Sequence, residues 1–403
     1  MTDATRVISD AGKSLPSEGV ALANQKRFRE AEAVFRREIE LSPLSPVAWN
    51  NLAVLQISLK QEAGAEYSCR RALELDPAFQ NSYLTLGYLL LRQGRFDEGW
   101  RCLDDRNIYL PLEKSLPCPR WRGESLEGRS LLIGFEEGYG DMIQFCRYAT
   151  VLKEQGVAKI TMICRPPLKP LLTTVTGLDD VFALEETFPP RKFDYWTMPV
   201  SLPFHLRTRI DSIPSRIPYL HADMELVARW SSLLAAESLP TDLRVGLVWK
   251  GNPLHDNDRD RSLPGLETLE TLGTIPGVRF FSLVKGEGEA ADPPVTLPVV
   301  NLGPGISNFA DSAAIVANLD LVISVDTAMA HLAGALGKSC WVLLTDFKTD
   351  WRWLTKRSDS PWYPGVMRLF RQEVGGEWAP VVDEVRRALR CLSEERGTLQ
   401  FLT

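Results

Sequence analysis

The stretch LVISVDTAMAHLAG, residues 321–334, decides the fold of this chain. Its first five residues are largely apolar and predict a buried parallel strand, and the small residues after Asp326 predict the start of a helix. A strand that turns directly into a helix leaves unpaired backbone N–H groups at the turn, and such groups suit a phosphate. The alternative is an ordinary N-cap, in which Asp326 or Thr327 satisfies its own helix.

On both sides of this stretch the chain continues to alternate between strand and helix. Buried strands are predicted at 130–135, 159–164, 243–249 and 278–283, with helical segments between them. This alternation predicts two Rossmann-like α/β domains with parallel sheets. A segment with two prolines at 210–220 would form a hinge between them. Ligands bind such folds in a cleft at the carboxyl ends of the strands.

The first quarter of the chain repeats itself every 34 residues. Small residues and prolines recur at this spacing, in the sets Gly19, Ala53, Gly87; Ala31, Ala65, Gly99; and Pro43, Pro77, Pro111. Small residues where two helices cross, with a proline after each pair, predict about three tetratricopeptide repeats. The concave face of such an array binds a peptide or a partner helix, although a spacer or a homodimer contact is an equal alternative.

The expected organisation therefore has four segments. Repeats occupy 1–110, a proline-containing connector occupies 111–128, and two Rossmann-like domains occupy 129–220 and 221–403, the second with a closing helix. The fold class is an α-helical repeat array followed by two α/β domains. In such a fold, closure over the hinge would bring the two halves of the cleft together.

The composition excludes several functional classes. The chain has 403 residues, 44% of them hydrophobic and 24% charged, which is typical of a globular protein. Its net charge of -6 argues against general nucleic-acid binding, no apolar run is long enough to span a bilayer, and the N-terminus lacks the features of a secretory signal. Seven scattered cysteines fit reduced thiols in the cytoplasm, and four scattered histidines predict no metal site.

Polar residues follow three of the predicted strands. After the first strand, Gly138 and Gly140 allow the backbone to approach a ligand, and Asp141 could accept a proton or cap the next helix. The long polar loop 250–262 follows another strand. Its cations, Lys250, Arg259 and Arg261, could neutralise a diphosphate or simply balance the acids of a solvated loop.

The third loop is the turn at Asp326 and Thr327, with His331 one turn into the helix. A histidine among alanines and leucines is more often a core residue, and a contact with a pyrophosphate is the alternative.

Taken together, these motifs resemble those of a known family. Residues 115–393 resemble glycosyltransferases of the GT-B fold, specifically the heptosyltransferase-like family 9, and best of all its members fused to tetratricopeptide repeats. The resemblance rests on EEGYGDMIQF at 136–145, WKGNP at 249–253, RS at 261–262, SLVKG at 282–286, VDTAMAHLAGA at 325–335, WRWL at 351–354, SPWYP at 360–364 and LFRQ at 369–372.

The resemblance implies a bacterial enzyme that transfers a sugar from a nucleoside diphosphate with inversion, without a metal ion and without a cofactor. Asp141 matches the family's general base, and Glu137 is a second carboxylate that competes for this role. The nucleotide sugar is expected to contact Gly138, Gly140, Gln144, Lys250, Asn252, Arg259, Arg261, Leu283, Lys285, Asp326, Thr327, Ala328 and His331.

Two positions depart from the family pattern, and heptose is not implied as the donor sugar. Ala328 stands where heptosyltransferases commonly have glycine after Asp-Thr, and Glu137 stands where glutamine is frequent. The segment 351–362 is similar to that of the repeat-fused members rather than to the lipopolysaccharide enzymes.

Three functions remain open on the sequence. In the first, the repeats recruit a protein acceptor, for example a flagellin or another surface protein, and take no part in donor chemistry. In the second, the acceptor is linked to a saccharide or a lipid, as for lipopolysaccharide heptosyltransferases. In the third, the chain is a catalytically inactive scaffold that binds partners through its repeats.

Overall fold

A computed structural model of the chain describes residues 18–105, 110–186, 192–286, 294 and 296–400. The expectation of no secretory signal falls on residues 1–17 and so lies outside the described residues. None of the described helices is both long enough and apolar enough to cross a membrane. All seven cysteines are present as free thiols.

Within residues 18–105 the chain forms three pairs of helices. They are α1 (Glu18–Asn24), α2 (Phe28–Leu41), α3 (Pro46–Ser58), α4 (Glu62–Leu75), α5 (Gln80–Arg92) and α6 (Phe96–Asp104). The small residues of the 34-residue period lie where helices touch: a Cβ added to Gly99 would lie 2.7 Å from Leu91, and one added to Gly87 would lie 2.8 Å from Leu103. Larger side chains would therefore force the helix pairs apart. The predicted repeat array is confirmed.

The connector packs closely against its neighbours. It contains a short helix, α7 (Leu110–Ser115). The backbone N–H of Trp121 then donates to the carbonyl of Trp196 at 2.8 Å. Nη2 of Arg120 donates to Asp104 at 2.5 Å, with both side chains buried. The connector therefore joins the end of the helical array to the first sheet.

The first α/β part contains a four-stranded parallel sheet. Its strands are β1 (Ser130–Ile133), β2 (Lys159–Cys164), β3 (Asp180–Ala183) and β4 (Tyr195–Thr197), in the order β3-β2-β1-β4. Its helices are α8 (Tyr139–Phe145), α9 (Tyr148–Glu154), α10 (Lys169–Leu172) and α11 (Leu202–His205). Strand β1 is almost wholly apolar because parallel sheets are covered on both faces.

The second α/β part contains a six-stranded parallel sheet in the order β10-β9-β8-β5-β6-β7. Its strands are β5 (Leu243–Val248), β6 (Val278–Ser282), β7 (Val299–Asn301), β8 (Leu321–Val325), β9 (Cys340–Leu344) and β10 (Met367–Arg371). Its helices are α12 (Met224–Ala236), α13 (Asp258–Arg261), α14 (Phe309–Ala317), α15 (Ala328–Ala335) and the closing helix α16 (Ala379–Gln400). All five residues of β8 are buried, as the opening stretch predicts.

An aromatic cluster joins the helical array to both sheets. Trp100 of α6 is 1% exposed, and its ring centroid lies 6.3 Å from Phe145, 5.1 Å from Trp351 and 6.3 Å from Trp362. Its indole N–H donates to the carbonyl of Thr208 at 3.2 Å. A continuous apolar core therefore extends from α6 into both α/β parts.

A second contact joins the front of the array to the second sheet. Phe28 stacks on Phe347 with ring centroids 5.7 Å apart, and Lys60 pairs with Asp346 at 2.7 Å. Both contacts lie beyond the end of β9, at the same edge of the sheet as the cleft described below. The array is thus held at two places.

The proline-containing segment predicted as a hinge packs against a buried arginine. Nη2 of Arg147 donates to the hydroxyl of Tyr219 at 2.8 Å, and Nη1 donates to the carbonyl of Pro214 at 3.2 Å. Nη1 also donates to the carbonyl of Trp362 at 2.8 Å. Arg147 therefore connects the first α/β part to the second through the carbonyl of Trp362, and to the proline-containing segment through Pro214 and Tyr219.

Candidate active site

A cleft of about 1270 Å³ lies between the two sheets and the helical array. Its walls include the loops that follow β1, β5 and β8. Each sheet reverses its strand order beside these strands, between β1 and β4 in the first and between β5 and β8 in the second. Loops diverge at such points and leave a crevice for a ligand. The three loops singled out in the sequence therefore meet at one cleft.

Asp141 lies in the first turn of α8, which begins at Tyr139 with Gly138 as its N-cap residue. The alternative of Asp141 as an N-cap is therefore wrong, because the helix begins two residues earlier. In the first turn its carboxylate is favoured by the helix dipole. A Cβ added to Gly140 would lie 2.9 Å from Cδ2 of His331, so this glycine allows the first and third loops to touch.

Arg352, to which the sequence analysis assigns no role, contacts the carboxylate of Asp141. Its Nη2 donates to Oδ1 of Asp141, and its Nη1 donates to the two oxygens of Asp350 at 3.0 and 2.9 Å. Burial acts to lower the pKa of Arg352, but Asp350 and then Asp141 outweigh it, and the pKa is raised above its ordinary value. The guanidinium therefore stays charged beside Asp141.

Two of the predicted site residues do not have the surroundings that were expected. Gln144 is fully buried and lies outside the lining of the cleft, where its Oε1 accepts a hydrogen bond from Nε of Arg352. Glu137 lines the cleft, but its side chain is 72% exposed and pairs with Arg165. Asp141 is thus the more enclosed of the two candidate bases.

The loop after β5 brings two of its three predicted cations to the cleft. Lys250 and Arg261 both line it, and Nε of Arg261 donates to Oδ1 of Asp258 at 3.2 Å. A Cβ added to Gly251 would lie 2.7 Å from Nη2 of Arg261, so the glycine admits the guanidinium. Arg259 is exposed and does not line the cleft.

Three more predicted residues lie on the same side of the cleft. Asn252, Leu283 and Lys285 all line it. Asn252 is exposed, Leu283 is buried, and Nζ of Lys285 donates to the carbonyl of Ile306. This side therefore combines an apolar surface with two further polar groups.

The turn between β8 and α15 faces the cleft through Asp326, Thr327 and Ala328. Thr327 is the N-cap of α15, and its hydroxyl accepts a hydrogen bond from the backbone N–H of Met329 at 3.2 Å. The N-cap alternative therefore holds for Thr327, and the helix N-terminus also opens to the cleft. Burial, and then the charge of Asp350, raise the pKa of the half-buried Asp326 to about 6.

His331 belongs both to the core and to the cleft wall. It is 4% exposed, its Nδ1 lies 2.8 Å from the hydroxyl of Tyr363, and its ring stacks on Trp353 with centroids 5.3 Å apart. Burial, followed by the charges of Arg352 and Arg147, holds the pKa of His331 well below its usual range. The ring is therefore neutral near pH 7.

The repeats supply a wall of the cleft that the sequence analysis did not anticipate. Val54 and Ile57 of α3, and Leu84, Tyr88 and Arg92 of α5, line it together with the loops. Nothing in the 34-residue pattern indicates this contact, because the pattern describes how repeats pack on one another. For Arg352 a signal does exist, since an arginine between two tryptophans in a buried segment needs charged partners.

One side of the cleft carries groups that suit an anion. Lys250, Arg261 and the N-terminus of α15 supply positive charge or N–H groups from two neighbouring loops. In the part of the chain that the structure describes, no group of three or more His, Cys, Asp or Glu side chains could hold a metal ion.

Comparisons with known proteins agree with both parts of the architecture. The tetratricopeptide repeat family matches residues 46–79, which span α3 and α4. Protein FlbA of Caulobacter vibrioides is 28% identical in an alignment that covers 92% of this chain and 71% of FlbA.

Solved structures resemble the α/β parts. A glycosyl transferase family 9 structure from Veillonella parvula matches with a TM-score of 0.50 and 12% identity, over 68% of this chain and 99% of that one. The ADP-heptose lps heptosyltransferase II of E. coli matches with a TM-score of 0.47 and 11% identity, over 66% and 99%. The repeat-family match and the first of these structural likenesses together confirm the predicted fold class, a helical repeat array followed by α/β domains of the family 9 type.

Proposed function

We propose that the protein is a GT-B glycosyltransferase that moves a sugar from a nucleoside-diphosphate donor to a protein acceptor, with inversion, without a metal ion and in the cytoplasm. The observation that carries the proposal is that Asp141, after the first strand of the first sheet, lines the same cleft as a cationic loop and a helix N-terminus of the second sheet. This reaction needs a base for the acceptor proton and a site for the leaving diphosphate. The shared fold with the family 9 structure supports the proposal.

The diphosphate of the donor would lie between the loop after β5 and the N-terminus of α15. Lys250 and Arg261 supply positive charge there, and the turn at Thr327 supplies backbone N–H groups. We assign Leu283 and Lys285 to the nucleoside, because they line the same side of the cleft. The neutral ring of His331 adds no charge to this site.

In the reaction, Asp141 takes the proton of the acceptor hydroxyl while the hydroxyl oxygen attacks C1 of the donor sugar. The bond between C1 and the diphosphate oxygen breaks, and its electron pair leaves with the diphosphate. Attack from the face opposite the leaving group inverts the configuration at C1. Arg261, Lys250 and the helix N-terminus neutralise the charge that develops on the diphosphate, in the place of a metal ion.

The wall formed by the repeats favours a protein acceptor. Val54 is 37% exposed and Tyr88 is 44% exposed, and both line the cleft beside Ile57 and Leu84. Apolar side chains suit the flank of an extended peptide, and Thr85 and Arg92 of the same wall add polar groups for its backbone. A flagellin or another surface protein is the example of such an acceptor that we propose. A saccharide-linked or lipid-linked acceptor and an inactive scaffold are the outcomes that a test must separate.

Calorimetric titration with UDP, ADP, GDP and dTDP tests the donor site. Release of the nucleoside diphosphate from the matching nucleotide sugar tests turnover. We expect one of these nucleoside diphosphates to bind. We expect Asp141→Asn to lower turnover by about 10²-fold or more, while the affinity for that nucleoside diphosphate changes by less than about twofold. EDTA should leave turnover unchanged. Failure to bind any of the four contradicts the proposal, and binding without turnover in the unmodified protein supports the scaffold.

The acceptor is tested separately with the full chain. Labelled sugar should appear on protein or peptide bands, and substitution of Val54 by serine should reduce this transfer while hydrolysis of the donor by water continues. Labelling of saccharide or lipid fractions alone would assign the second acceptor class.

A further inference from the structure

Arg352 lies in the turn Trp351–Trp353, between β9 and β10, and is 8% exposed. Its guanidinium carbon lies 4.4 Å from the ring centroid of Trp351 and 5.8 Å from that of Phe145. These two rings fix the position of the guanidinium plane. The aromatic packing and the enclosed charge indicate a rigid group rather than a mobile surface side chain.

The guanidinium joins residues that belong to different parts of the fold. Nη2 reaches Asp141 and Nε reaches Gln144, both on α8 beside the first sheet. Nη1 reaches Asp350, at 3.0 and 2.9 Å, beside the second sheet. One side chain therefore links the candidate base to the segment that follows β9.

We propose that Arg352 is the positioning residue for Asp141. It holds Oδ1 of the carboxylate from the donor side of the cleft, so that the base is oriented relative to the donor site and not only by its own helix. The inference rests on the proposed function, because it concerns the base of that reaction. The contact spans the two α/β parts of the fold.

The geometry requires arginine at this position. Three acceptors on two elements are reached by three different nitrogens of one planar group, and the single ammonium of lysine cannot reproduce that fork. The charge is also needed, because Asp141 and Asp350 both lie against it and would repel one another without it.

The test uses Arg352→Gln in the full chain. The donor is the one of UDP-N-acetylglucosamine, GDP-mannose, dTDP-rhamnose and ADP-heptose that the unmodified protein hydrolyses. We expect kcat for donor hydrolysis to fall by about 10²-fold, while the Kd for the matching diphosphate changes by less than about threefold. The acid limb of the pH profile of kcat should move to higher pH, because a carboxylate without its cation is protonated more easily. Arg357→Gln is the matched control, since Arg357 pairs with Asp359 on the surface.

An unchanged pH profile with an active Arg352→Gln protein overturns the inference and leaves the proposed function standing. A large loss of diphosphate affinity with unchanged kcat also overturns it, because Arg352 would then be a phosphate ligand. If no diphosphate binds to the unmodified protein, the proposed function itself fails.

A second variant decides the matter if Arg352→Gln does not fold. Gln144→Met removes the oxygen that accepts the hydrogen bond from Nε of Arg352. It also removes Nε2 of Gln144, which is buried without a hydrogen-bond partner, and the side chain keeps nearly the same volume. We expect this variant to fold, to keep diphosphate affinity and to lose about tenfold in kcat. Unchanged kcat in a folded Gln144→Met protein counts against the positioning role.

Discussion

At the scale of single residues, position in the cleft separates side chains that the sequence treats alike. Arg259 and Arg261 lie in one short helix, α13, yet only Arg261 lines the cleft, where it is held by Asp258. A helix points residues two apart in different directions, so one of the pair faces solvent. This pair provides a matched test of where the diphosphate lies.

We predict that Arg261→Ala weakens binding of the matching nucleoside diphosphate by about tenfold or more, because a charge-assisted contact contributes about 1.5–3 kcal/mol. Arg259→Ala should leave affinity unchanged, because its side chain is exposed and lies outside the lining. Calorimetry on both variants checks the prediction. Equal affinities for the two variants would mean that the diphosphate lies elsewhere.

Asp326 leads to a prediction about pH. Burial and then Asp350 raise the pKa of Asp326 to about 6, so the folded protein binds this proton more tightly than the unfolded chain. The protonated carboxyl therefore contributes stability that is fully present below about pH 4 and is lost as pH rises through about 6. Asp326→Asn removes this dependence on pH. The Tm of Asp326→Asn minus the Tm of the unmodified protein should therefore increase from pH 4.5 to pH 8.

Thermal unfolding across this range is the measurement. A difference in Tm between Asp326→Asn and the unmodified protein that stays constant from pH 4.5 to pH 8 would contradict this prediction.

At the scale of secondary-structure elements, α5 and α6 do more than complete the last repeat. Helix α5 lines the cleft through Tyr88 and Arg92, and α6 carries Trp100 into the core of the α/β parts. The third repeat therefore has two packed faces, one toward the second repeat and one toward the candidate enzyme. A terminal repeat needs such a cover, because its outer face would otherwise expose apolar surface.

We predict that Trp100→Ala lowers the free energy of unfolding by about 3–5 kcal/mol, because it empties a large buried site and removes the hydrogen bond to Thr208. Leu44→Ala, at a position that is 73% exposed, should cost less than about 0.5 kcal/mol. Urea unfolding followed by tryptophan fluorescence checks both values. A first transition for the repeats alone, unaffected by Trp100→Ala, would contradict a shared core.

At the scale of the whole molecule, the repeats and the two sheets form one structure around one cleft. Arg147 and Arg352 each connect the two α/β parts, and Trp100 connects both to the repeats. Removal of residues before Ser115 would therefore expose the aromatic cluster and remove a wall of the cleft. Single substitutions such as Val54→Ser therefore test the acceptor better than a truncation does.

The amino-acid sequence by itself determined the repeat array, the two parallel sheets and the three loops at their carboxyl ends. These features depend on local patterns: a 34-residue period, apolar runs of strand length, and glycine or Asp-Thr turns directly after them. Such patterns depend on the spacing of residues along the chain, so a single sequence is enough to recognise them. The same reasoning predicted that one cleft contains Asp141, Lys250, Arg261 and Thr327, and all four line it.

Only the tertiary structure decided which neighbours those residues have. Arg352 is 211 residues from Asp141 in the chain, and Tyr88 comes from a repeat whose pattern describes helix packing alone. Gln144 and Arg259 were both expected to contact the nucleotide sugar, but Gln144 is buried in the core and Arg259 is exposed to solvent. Contacts of this kind arise because the burial of apolar surface brings distant elements together, and a buried charge must then find its partner wherever the packing has placed one.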